Sequence, residues 1–337
     1  MAVMDNNKST LLMTYDYELY LGRSGHVDNC LIAPTKEIVK VMDKHNAKGT
    51  FFVDTVYLLL AKEQCPSDYE KVVNQLRWLV SEGHRIELHL HPHWVDANYN
   101  VSDAQWYFDN YRYYRVSKCP KEMIADLFRR SYDLLCAIAQ KEDSNYKPIA
   151  YRAGGWCIEP FDTFKELFIE YGIKVDSSVR AGNKFDDPVQ GFDFTSIKDP
   201  KPYRFTDSPL KREEDGIFME LPVTPLTLSP MCLICNRIGY KIDKQNRKVW
   251  GDGNVSFKSK EGITFKNALK KLTTNKIASL SYDGYCLNPG KSLFKKNDVL
   301  VGVAHPKAIT PRSIKIFDSS FSYVNCGETI YDFTSGK

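Results

Sequence analysis

Gly83-His84-Arg85-Ile86-Glu87-Leu88-His89-Leu90-His91-Pro92-His93-Trp94 holds four of the seven histidines in the chain. From Ile86 to Leu90 apolar and polar residues alternate, the pattern of a short strand. Pro92 cannot donate to a ladder, so the strand should end before it. His89, His91 and His93 therefore stand at a strand end and its first turn, where α/β barrels and open sheets place their chemistry. Neutral imidazole is a common ligand of zinc-like metals, and two or three from one loop plus a carboxylate make an open catalytic site. A polar loop with solvated histidines is the bland reading. Three alternating histidines around a proline favour the metal.

The 337 residues suffice for one large domain with insertions or for two smaller ones. At 43% hydrophobic and 26% charged residues, the composition is that of an ordinary globular protein. A net charge of +4 argues against a dedicated nucleic-acid surface. Met1 to Thr10 is polar, without an apolar signal core, and runs such as Val56 to Ala61 are far short of the ~20 residues of a membrane span. The expectation is a cytoplasmic protein with no membrane span. Nine scattered cysteines fit free thiols in a reducing compartment. Cys232 and Cys235 form a C-x-x-C with no second pair at zinc-ribbon spacing, so they read as part of an apolar loop.

Working outward, Leu11-Leu12-Met13-Thr14-Tyr15 reads as a buried strand that delivers Asp16 and Glu18, two apart, to one side. Pro34 to His45 reads as a helix, Gly49 to Asp54 as a strand and Ser67 to Ser81 as a helix. Glu122 to Gln140 is helical, Pro148 to Arg152 a strand, and Phe161 to Glu170 a helix stopped by Gly172. Ile173 to Asp176, Gly216 to Val223 and Asp298 to Ala304 are further strands, and Phe265 to Leu272 is helical. Thr195 to Asp215 reads as irregular, and no element is assigned within Thr227 to Gly253. The Tyr107 to Arg115 cluster reads as the packing of an insertion rather than a sugar-stacking surface. Strands alternating with helices imply a mostly parallel α/β domain. Four strand ends, near Asp16, His89, Arg152 and His305, each carry a catalytic type of group, and in a parallel barrel such ends converge on one face.

In this order, from about Leu11 to about Thr310, the motifs resemble those of the polysaccharide deacetylases, the NodB-homology or carbohydrate esterase family 4 group. Thr14-Tyr15-Asp16-Tyr17-Glu18 resembles T-F-D-D, and His84 to His93 resembles H-E-I-G-x-H-[ST]-x-x-H. Arg152-Ala153-Gly154-Gly155-Trp156 is similar to the arginine motif, Asp176-Ser177-Ser178 to the groove segment, and Val303-Ala304-His305 to the closing L-x-H. The resemblance implies a distorted, incomplete (β/α) barrel with insertions near 95–118 and 180–260, one catalytic domain over 1–337. It also implies one divalent metal, zinc on ligand type, with manganese, cobalt or nickel able to fill the same site. In that register His89 and His93 are the metal histidines. Asp16 is the base, His305 the general acid, and Arg152 the residue that orients Asp16.

Tyr17 stands where the family has its metal aspartate, so Glu18 is the candidate carboxylate ligand, with Asp16 as the alternative. Leu90 and the Gly154-Gly155 pair are further departures. Trp156, Gly154, Asp176 and Trp94 are the candidates for substrate contact: Trp156 as a groove wall, and a backbone N–H of Ala153 or Gly154 for the oxyanion. Both tryptophans are also readable as core. The implied activity is removal of an N-acetyl group from an acetamido sugar or glycan intermediate in surface-polysaccharide biosynthesis. The alternatives are hydrolysis of an amide or cyclic imide on a small non-sugar molecule, and a non-catalytic glycan-binding relative.

Overall fold

The computed structural model describes residues 8–255, 275–284, 291–294 and 298–336. The helix expected at Phe265 to Leu272 lies outside them. The chain opens with β1 (Ser9–Tyr17), α1 (Ala33–Lys44), β2 (Thr50–Asp54), α2 (Thr55–Gln64), α3 (Pro66–Ser81) and β3 (Arg85–Leu90). A hairpin, β4 (Ala97–Asn100) with β5 (Gln105–Phe108), follows the histidine stretch. Then come α4 (Lys121–Ala139), β6 (Ala150–Ala153), α5 (Asp162–Tyr171), β7 (Val175–Asp176) and a second hairpin of β8 (Lys184–Asp186) with β9 (Gly191–Asp193). The chain continues through β10 (Tyr203–Phe205), β11 (Phe218–Glu220), β12 (Pro225–Leu228), the helix Pro230–Ile242 and β13 (Lys276–Ser279). The last strands are β14 (Val299–Ala304) and β15 (Val324–Asn325).

Nine of these strands form one sheet in the order β10-β11-β7-β6-β3-β2-β1-β14, with β15 also against β1. Every pairing from β11 to β14 along that order is parallel, and β10 against β11 is antiparallel. The reason is visible in the sequence: these strands are apolar on both faces, as a sheet covered on both sides requires. On β1, Leu11, Met13, Tyr15 and Tyr17 pack outward against the helices, while Leu12 joins Phe52, Ala150, Val301 and Val303 in a second cluster on the opposite face. That second face is the interior of an incomplete barrel.

The barrel is open between β11 and β14, and irregular chain fills the gap. The Thr224 N–H donates to the Val301 carbonyl at 3.0 Å, the Val303 N–H to the Leu280 carbonyl at 2.9 Å and the Leu280 N–H to the Thr224 carbonyl at 2.7 Å, and Ser281 bridges Val303 in parallel. This closure brings Asp283 to the end of β14.

Some elements depart from expectation. Cys65-Pro66 separates α2 from α3, so a helix occupies the stretch read only as an apolar run. The 95–118 insertion contains a real hairpin, whose Trp106 is buried together with Tyr114 farther along the insertion. A strand, β10, falls within the stretch read as irregular, and the unassigned Thr227 to Gly253 contains a 13-residue helix.

Candidate active site

Arg152 lies at the end of β6, in register with His89 on β3, and is fully buried. A buried guanidinium must spend its fork of donors on fixed acceptors. Its Nη1 donates to Asp16 Oδ1 at 2.6 Å, Nε to the Ser177 carbonyl at 2.8 Å, and Nη2 to Ser177 Oγ at 2.8 Å. Burial would raise the Asp16 pKa, but Arg152, then His305 and His89, outweigh it and hold the carboxyl below its ordinary value. Asp16 is therefore ionised at neutral pH.

Strand alternation puts Asp16 and Glu18 on one side and sends Tyr17 to the other, where its hydroxyl donates to Gln75 Oε1 at 2.8 Å. Glu18 Oε2 lies 2.6 Å from His91 Nε2 and 3.2 Å from His89 Nε2. His89 Nδ1 is 2.8 Å from the Arg152 carbonyl, which can only accept, so that nitrogen carries the proton and the Nε2 lone pair is left to coordinate a metal. The other carboxylate oxygen, Glu18 Oε1, accepts from Lys307 Nζ at 2.8 Å, and the same ammonium donates to the Leu19 carbonyl at 2.6 Å. Burial would raise the Glu18 pKa, yet Lys307, His91 and His89 hold it well below the usual range. Glu18, His89 and His91 are all buried, and their ligand atoms lie within 4.8 Å of one another. One carboxylate and two imidazoles, gathered this closely, fit a divalent transition metal.

This set differs from the expected register. His91, not His93, joins His89, because regular strand geometry ends at Leu90 and the chain enters a 3₁₀ turn at Pro92–Asp96. The turn carries His93 into a cage of Trp94, Phe108, Tyr111 and Tyr114, with ring centroids 4.9–6.2 Å away. Burial, with His91 beside it, pushes the His93 pKa well below its ordinary value, and neither ring nitrogen has a hydrogen-bond partner.

His305, partly exposed just past β14, faces the carboxylates from the far side. Its Nε2 lies 3.4 Å from Asp16 Oδ2 and 3.7 Å from Glu18 Oε1. Asp283 accepts from the His305 backbone N–H at 2.7 Å and from its Nδ1 at 2.9 Å. Burial disfavours the imidazolium, but Asp283, then Asp16 and Glu18, overcome this and raise the pKa to about 9. A carboxylate held ionised and an imidazole held protonated thus face each other in one pocket.

The remaining candidates divide. Trp156 is half-buried and lines both a cavity of about 110 Å³ over Asp16, Glu18, His89, His91 and His305 and an adjoining cavity of about 270 Å³. Gly154 is buried, and a Cβ there would stand 2.3 Å from the Leu90 carbonyl and 2.7 Å from His91 Nδ1. Its side-chain vacancy seats the His91 ring. The Ala153 N–H donates to Ser178 Oγ at 2.9 Å and is not free for an oxyanion. Asp176 is fully buried, accepting from Ser178 Oγ at 2.6 Å and lying against buried Glu220; it pins the Ser177-Ser178 turn that holds Arg152 and touches no substrate space. Trp94 is likewise fully buried, packed on Tyr57, Trp106 and Phe108, with its Nε1 donating to Asp54 Oδ2 at 2.5 Å.

Sequence reading missed Lys307, Asp283 and the place of His91 beside Glu18 and His89. Lys307 had a usable signal, since it leaves β14 on the same turn as His305-Pro306. Asp283 had none, because Tyr282-Asp283-Gly284 reads as ordinary turn chemistry.

No protein-family model matches the chain, and no curated relative matches it. Solved structures do match. A protein from Mycobacterium smegmatis described as a polysaccharide deacetylase aligns over 100% of this chain and 92% of its own, with 13% identity and a TM-score of 0.49. A 4-alpha-glucanotransferase from Thermococcus litoralis aligns over 98% of this chain and 41% of its own, with 14% identity and a TM-score of 0.50. A family 4 acetyl xylan esterase from Clostridium thermocellum, solved with a cobalt ion, aligns over 52% of this chain and 60% of its own, at 18% identity and a TM-score of 0.28. At 14% identity and a TM-score of 0.50, the likeness to the glucanotransferase is one of fold alone.

Proposed function

We propose that the chain is a single catalytic unit: a metal-dependent hydrolase that removes the N-acetyl group from an acetamido sugar at a cytoplasmic step of surface-polysaccharide biosynthesis. The observation that carries this reading is convergence. The Asp16–Arg152 pair, the Glu18–His89–His91 set and the His305–Asp283 pair meet at one cavity. A glycan-binding module needs neither an ionised base nor a protonated acid.

Asp16, ionised by Arg152, takes a proton from the attacking water. His305, held protonated by Asp283, gives a proton to the nitrogen as the C–N bond breaks, so acetate and a free amine leave. Lys307 keeps Glu18 ionised and fixes its rotamer toward the two histidines. A divalent cation on Glu18, His89 and His91 would supply a lowered water pKa and a positive charge beside the developing oxyanion.

The test is elemental analysis of untagged protein together with acetate release from N-acetylated sugars and sugar carriers. Wild type should hold one equivalent of a zinc-like metal, the His89→Ala/His91→Ala double variant none, and His93→Phe the full equivalent. Asp16→Asn should keep the metal while turnover falls by about 10²–10⁴-fold. A metal-free wild type without acetate release would sink the reading. Activity on a cyclic imide with none on N-acetyl sugars would replace the substrate.

A further inference from the structure

The second cavity, about 270 Å³, adjoins the catalytic one through Trp156 and His305. Its floor is apolar, from Leu226, Leu228, Ala278 and Val303, and its polar lining is Arg180, Ser279, Ser281 and Asp283. The Asp283 carboxylate is taken by His305. Arg180 is the unspent group. Its backbone is fixed where Val223 bridges it in parallel, and its guanidinium carbon lies 5.4 Å from the Trp156 ring centroid and 5.6 Å from that of Phe192.

Of its five N–H donors, Nε alone is engaged among the described residues, to Ser279 Oγ at 2.9 Å. Among the described residues Arg180 forms no ion pair, although it is half-buried. Burial accordingly makes its charge costly, lowering its pKa, and Asp16 and Asp283 offset this only from a distance. Taking a guanidinium partly out of water without a paired anion is unfavourable, and a bound oxyanion would restore the lost interaction with a bidentate pair.

We propose that Arg180 binds an anionic substituent, a carboxylate or a phosphate, carried by the acetamido sugar. This rests on the hydrolase reading and names the substrate class for it. The sugar's apolar face lies on Trp156, its acetamido group points to Asp16 and His305, and its charged group sits on Arg180.

The test uses full-length, metal-replete protein and three probes: N-acetylglucosamine, N-acetylglucosamine 1-phosphate and 2-acetamido-2-deoxyglucuronic acid. Wild type should favour one charged probe over the neutral one in kcat/KM, and which of the two it favours separates phosphate from carboxylate. Arg180→Gln should cut that preference by about tenfold to a hundredfold, mostly through KM. Arg180→Lys, which keeps the charge but not the fork, should retain more of it, separating loss of recognition from loss of fold. A wild type without preference, or an Arg180→Gln variant that keeps it, overturns the proposal. If no probe is hydrolysed, calorimetric titration still decides. Charged-probe binding weakened by Arg180→Gln upholds the subsite while the hydrolase reading fails, and binding that is equal in the two proteins, or absent from both, overturns the subsite.

Discussion

In the proposed mechanism, Asp283 sets the working pH of His305. The acid is useful only while protonated, and its pKa of about 9 depends on the carboxylate 2.9 Å from Nδ1. The kcat/KM profile should therefore fall above about pH 9. Asp283→Asn removes a negative charge, makes the imidazolium less favourable, and should bring that alkaline limb down by about 1–3 units. An unmoved limb would take the acid role away from His305. Single residues were legible in the sequence where an apolar run ends in a polar group, as at Asp16, Glu18, Arg152 and His305. Asp283 was not, because its role comes from a turn 22 residues before its partner, placed by the barrel's closure. Nor was the choice between His91 and His93. It depends on where the backbone stops being extended, and Pro92 limits that point without fixing it.

At the scale of elements, the 3₁₀ turn after β6 and the strand end of β3 form one assembly. Gly154 leaves no space for a side chain between them, since a Cβ would overlap the Leu90 carbonyl and His91 Nδ1. Gly154→Ala should cost about 1–3 kcal/mol in denaturant unfolding by overpacking. By turning the His91 ring, it should also weaken metal binding about tenfold or more, read by competition with a chelator. Metal affinity that stays unchanged would mean His91 is not a ligand. Long elements were readable because their periodicity runs for several turns or is apolar throughout, as in α4 and β14. Short strands without such a run, such as β10 and the hairpin pair β4–β5, were not, since pairing partners rather than local pattern decide them.

For the molecule as a whole, β1 is the hub, flanked by β2 and β14 and touched at its start by β15. Its residues Leu11, Met13 and Tyr15 serve one cluster and Leu12 the other. Amide exchange should therefore be slowest along β1, β2 and β14, requiring global unfolding there, and much faster in the edge strand β10 and the hairpin β4–β5. Uniform exchange across the sheet would show that the hub does not govern stability. The parallel α/β plan was legible in the order of the elements, and its incomplete barrel in the resemblance of the motifs. The closing of its gap by residues 224 and 280–282 was not, because it is irregular chain recruited by free ladder groups on β14.

The pairing of β1 with β14 has a consequence for biosynthesis. Lys307 meets Glu18 across 289 residues of chain. At ribosomal rates of about 5–20 residues per second, the nascent polypeptide waits roughly 15–60 s between making one carboxylate and making its ammonium partner. For the last three quarters of that interval Glu18, His89 and His91 have all been synthesised, while one edge of β1 lacks its neighbour. A cation captured by those three groups would neutralise the glutamate in place of the missing lysine until translation supplies it.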